Sequence, residues 1–196
     1  SDRHYRFVNM VAREVKKTHP NRYVGTLLYW IARQPPPNVP RLEDNVFGFL
    51  TEECAAWYDP KIKAADQALT REWSRRIRHL SRYDYMGLGT FTPRVYPHFM
   101  AEQLKLDKSL GVEGMYTELY TFLPFTAPMV WSFAKLQWNA DRDIDALLGE
   151  FYQKMFGASA KTVAAYYALL EKSWCTPRPG HETPAVVDTN FFTMST

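Results

Sequence analysis

The sequence predicts an α/β fold of parallel βα units, with half the strands of a (β/α)8 TIM-type barrel and a set of trailing helices. Three observations carry this. Short apolar stretches alternate with amphipathic helical patterns through the first part of the chain. Each of those stretches holds glycine, and none is followed by the glycine-rich phosphate loop of a dinucleotide-binding sheet. The last third reads as helix throughout. Residues 1–126 therefore read as four βα-type units of a partial barrel, 127–174 as closing and trailing helices packed on it, and 175–196 as an extended tail or linker.

In order, Asp2 is placed to cap a helix whose Val8, Val11, Ala12 and Val15 recur at helical spacing, and His19-Pro20-Asn21 ends it. "YVGTLLYW" (23–30) reads as a buried strand, and Pro35-Pro36-Pro37 makes the next loop stiff. "NVFGFLTE" (45–52) is a second strand, and a helix through Ile62, Leu69, Trp73, Ile77 and Leu80 follows. "YDYMGLGT" (83–90) is the third strand, with Asp84 at its start. Pro97 opens a helix that Gly111 closes, and "GMYTELY" (114–120) is the fourth strand. After a proline-interrupted loop, residues 128–138 form a helix. Asp141 or Asp143 caps the next, and Ser159 the last.

Composition narrows the function classes. A net charge of +3 with dispersed basic residues argues against nucleic acid, and the densest cluster, "REWSRRIRHL", falls at the spacing of a solvated helix face. Two distant cysteines and five histidines without ligand spacing encode no metal site, and no cofactor motif is present. No apolar run is long enough to span a membrane. Aromatic residues make up 15% of the chain, a supply that suits sugar-binding clefts as well as a large core.

Strand side chains alternate between faces, so each strand glycine defines a parity. Taking the glycine parity as the crowded barrel interior points Tyr29, Glu52 and Glu118 at the carboxyl-terminal mouth, where barrel enzymes keep their sites. The opposite parity, with Leu28, Phe47, Phe49 and Met86, is then the face on which helices pack.

"TPRVYPHFMAEQLKLDKSLGVEGMYTELY" (92–120), "AKLQWNADRDIDALLGEFYQKMFGASA" (134–160) and "RFVNMVAREVKKTHPNRYVGTLLY" (6–29) resemble a bacterial family, domain of unknown function 4838, found in predicted glycoside hydrolases. Such proteins carry an α-glucuronidase-like domain ahead of a barrel. The resemblance implies the second half of a (β/α)8 barrel. It also implies an oligo- or polysaccharide substrate and completion by a missing amino-terminal barrel half or another chain. The carbohydrate reading favours an extracellular or periplasmic location.

Most glycosidases need two carboxylates, one to donate a proton and one to act as nucleophile or base. Glu118 matches the family's "Y-x-E" strand end and agrees with the parity. For the adjacent pair the arguments differ: parity points Glu52 inward, whereas the resemblance matches an "E-C" step at Glu53-Cys54. A bulge at the strand end would reconcile the two. Arg94 is suited to a sugar carboxylate or to a loop-positioning salt bridge. Tyr29, Trp30, Trp57, Tyr58, Tyr96 and Tyr120 lie near strand ends as candidate stacking residues. The leading expectation is a glycoside hydrolase. The alternative is a non-catalytic carbohydrate-binding or structural barrel module.

Overall fold

A computed structural model describes residues 1–87, 93–119 and 123–176. Four strands, β1 (Val24–Leu28), β2 (Val46–Thr51), β3 (His79–Gly87) and β4 (Met115–Leu119), form one sheet in the order β1-β2-β3-β4. Every neighbouring pair is parallel. Around them run α1 (Asp2–Thr18), α2 (Pro60–Arg76), α3 (Pro97–Ser109), α4 (Leu123–Trp138), α5 (Ile144–Phe156) and α6 (Ala160–Cys175). The α/β class and the parallel sheet expected from the sequence are thus present. The β1–β2 crossover holds no α-helix; it is the proline-rich loop, anchored by buried Val39 and Leu42 and by Arg76, which donates to the Pro36 carbonyl at 2.7 Å.

Several local choices follow from side-chain chemistry. Asp59 caps α2 by accepting from the Lys61 amide at 2.7 Å, ahead of Pro60 at the first helical position. Asp143 caps α5, accepting from the Ala146 amide at 2.7 Å. Two expected caps differ. Asp2 lies inside the first turn of α1 and holds Asn38 of the crossover loop, and Ser159 makes no side-chain cap bond. The helix expected to run through Leu80 stops at Arg76, because Ile77 turns to extended backbone and Leu80 enters β3. Asp84 is accordingly in mid-strand rather than at a strand start. The fourth helix begins at Leu123, so Pro124 falls in the first turn, where its missing N–H costs nothing, and Pro128 lies within the helix.

The helices cover one face of the sheet. Tyr5, Val8 and Ala12 of α1 and Leu69 and Trp73 of α2 pack on Leu28, Val46, Leu50 and Leu80. Met100 and Leu104 of α3, Met129 and Leu136 of α4, and Leu147 and Phe151 of α5 gather around Met86. The other face carries Leu27, Phe47, Phe49, Tyr83, Tyr85 and Tyr116, with Leu27 49% and Tyr116 52% exposed.

This arrangement corrects the parity argument for β2. Gly48 faces the helices, where a β-carbon would lie 2.6 Å from Ile77 Cδ1, and Leu50 and Glu52 share its side. Phe47 and Phe49 look the opposite way, 5.1 Å apart on the open face. In β1 and β4 the glycine parity does mark the open face. Glycine in β2 makes room for overlying side chains instead of relieving the sheet interior.

Candidate functional site

Because the strands are parallel, their carboxyl ends lie together at one end of the sheet. The sequence candidates sort into three places there.

Glu52 lies behind the sheet, 2% exposed, in a buried network. It pairs with Arg82, accepts from Thr70 Oγ1 at 2.9 Å and contacts Arg33 at 3.3 Å. Arg82, 1% exposed, also donates to Asp107 through Nε at 2.9 Å, and Arg33 holds Asp66 at 2.7 Å. Two guanidiniums thus meet three carboxylates, Glu52, Asp66 and Asp107. Burial pushes the Glu52 carboxyl up to about 7 against the pull of Arg82. Beside the network, Asp84 accepts from the Tyr85 and Cys54 amides and is raised by burial to about 6. Trp57, 3% exposed, donates its indole N–H to Asp66 at 3.3 Å and presents no stacking face.

Glu53 and Arg94 form a second group, an ion pair with both side chains buried. The guanidinium of Arg94 lies 5.9 Å from the Tyr96 ring and 5.3 Å from the Trp174 ring. Tyr96 is fully buried, and Tyr58 packs edge-on against Trp174 at 6.5 Å. Trp174 belongs to α6 and donates to the Ala55 carbonyl at 2.9 Å, so α6 is moored to the segment after β2. Of the two roles open to Arg94, the loop-positioning salt bridge is the one this geometry displays.

The third group is on the open face. The Tyr83 hydroxyl donates to Glu118, half-buried on β4. The Tyr83 ring lies 4.7 Å from Tyr116 and 5.3 Å from Tyr85. Tyr85 hydrogen-bonds Tyr29, and its hydroxyl is raised above the ordinary phenol range, chiefly by burial. Trp30, next to Tyr29, is 81% exposed and has a left-handed backbone, φ 48°. Tyr120 lies outside the described residues.

Of the three residues expected to converge, two lie on one face. Glu118 and Tyr29 share the open face, while Glu52 occupies the opposite face of the sheet. Tyr83 and Tyr85 were missed by sequence reasoning. Their signal was the alternation in "RYDYM": Arg82 and Asp84 on one parity need buried partners, which sends both tyrosines to the other face.

Among the described residues no group of three His, Cys, Asp or Glu is gathered to hold a metal, and no helix is long and apolar enough to cross a membrane. The fold and site define an α/β protein with a one-sided parallel sheet and a tyrosine–carboxylate cluster at its carboxyl end. The family described as Domain of unknown function (DUF4838) matches residues 1–168, and the chain belongs to it. No curated protein and no solved structure matches the chain.

Proposed function

We propose that this chain forms the carboxyl-terminal half of a (β/α)8 barrel that hydrolyses a glycosidic bond in an oligo- or polysaccharide. The observation that carries the reading is Glu118, presented on the open sheet face and oriented by the Tyr83 hydroxyl among Tyr29, Tyr85 and Tyr116. A carboxylate held by a phenol and flanked by aromatic rings fits a nucleophile or base beside a sugar ring. The one-sided sheet supports the rest, because parallel sheets bury both faces and four strands do not close a barrel. Four further βα units, from preceding sequence or another chain, would cover the open face and bring the second carboxylate.

The test is hydrolysis by the full-length protein across a panel of aryl glycosides and oligosaccharides, comparing wild type with Glu118→Gln. Loss of the carboxylate is expected to lower kcat by at least ~100-fold with the fold intact. Unchanged turnover in that variant would remove Glu118 from the chemistry. Retention of glycans without any hydrolysis would favour the alternative, a carbohydrate-binding barrel.

A further inference from the structure

The turn after β1 combines strain, exposure and unusual anchoring. Trp30 adopts φ 48°, a conformation that crowds the β-carbon of any residue but glycine and is an outlier for a bulky side chain. Its indole is nonetheless 81% exposed, so no burial of the ring offsets the strain. What holds the turn lies at Ala32 and Arg33. The Ala32 carbonyl accepts from the buried Tyr5 hydroxyl, and the Arg33 carbonyl accepts from the Trp73 indole at 2.8 Å. The Arg33 side chain is clamped by Asp66 at 2.7 Å and Glu52 at 3.3 Å. On the other side, Tyr29 is fixed to Tyr85. A backbone this over-determined keeps a strained residue in place when the strain serves the surface it presents.

We infer that Trp30 is a pre-organised stacking platform for a pyranose ring at the edge of the tyrosine–Glu118 site, and that the Glu52–Arg33–Asp66 network is its mooring. The inference rests on the carbohydrate reading above and names the residue that grips the sugar. An indole face offers a flat apolar area matched to the C–H face of a pyranose, and holding it rigid lowers the ordering cost of binding.

The experiment pairs thermal denaturation with retention on an immobilised oligosaccharide panel, for the full-length wild type and Trp30→Ala, Trp30→Gly and Ile31→Ala. Ala and Gly both delete the indole, but only Gly accepts the left-handed backbone freely. Trp30→Gly is expected to melt ~2–4 °C above Trp30→Ala. Both should lose sugar retention by ~10-fold or more, while Ile31→Ala, equally exposed, retains it. Equal melting temperatures for the two variants would overturn the strain. Retention undiminished in Trp30→Ala would overturn the platform and leave the carbohydrate reading standing. A wild type that retains no sugar overturns the platform, and one that also hydrolyses none overturns the carbohydrate reading.

Discussion

At the scale of single residues, Arg82 is the group on which most depends. It sits inside β3 at 1% exposure and is satisfied by Glu52, Asp107 and the Thr70 hydroxyl at 3.1 Å. Replacing it by leucine would fill the space but leave Asp107 buried without its cation and Glu52 with Arg33 alone. Removing one partner of a buried pair costs about 3–5 kcal/mol. Urea unfolding of Arg82→Leu should show a loss of that order, whereas Arg13→Ala, which breaks the exposed Arg13–Glu43 pair, should cost under ~1 kcal/mol. A Glu52 role in holding Arg82 and Arg33 was not legible in the sequence, because its partners stand 30 and 19 positions away and nothing local announces them. Glu118 was legible, because its strand is short, its parity is simple and its neighbours on that face are aromatic.

At the scale of elements, the strands and helices were readable where one periodicity ruled and misread where two met. The α2–β3 junction shows why. Ile77 and Leu80 continue the helical spacing of Leu69 and Trp73, so the pattern alone carries the helix past its real end. Only the extended backbone at Ile77, which tucks its side chain over Gly48, marks the change. A β-carbon at Gly48 would lie 2.6 Å from Ile77 Cδ1 and 3.2 Å from Leu28 Cδ1. Gly48→Ala should therefore destabilise by about 1–2 kcal/mol through overpacking. Because the nearest obstacle is the end of a flexible side chain, the double variant Gly48→Ala/Ile77→Val should recover most of that loss. Chemical denaturation of the two variants checks it; an uncorrected double variant would mean that the sheet, and not Ile77, resists the methyl group.

At the scale of the whole molecule, several buried or clamped groups on the helical side of the sheet share one direction of titration. Burial raises the Glu52 carboxyl from its ordinary 4.5 to about 7 and Asp84 from 3.8 to about 6, and it raises Asp66 as well. His98 joins α3 to α5 and α6, facing Glu171 at 2.8 Å and Asp145 at 3.2 Å, and those carboxylates raise it from 6.5 to about 9. In each case the folded state keeps a proton that the unfolded chain has already released. The stability from such a group is complete below its unfolded value and is lost as pH rises through its folded value. Glu52 and Asp84 therefore weaken the fold between about pH 4 and 7, and His98 does so between 6.5 and 9. Asp2 and Glu150 have lowered values and act oppositely, but only on the acid side of their ordinary range. The melting temperature should consequently peak near pH 4 and fall by ~10 °C by pH 8–9, with the buried carboxylates giving the larger share and half-exposed His98 a screened one. Replacing His98 by glutamine should flatten the curve only above pH 6.5, because that substitution removes one titration and leaves the carboxylates behind the sheet untouched. A melting temperature that instead climbed from pH 5 to 8 would require Glu52 to fold as the anion, with Arg82 and Arg33 outweighing the desolvation that now governs it.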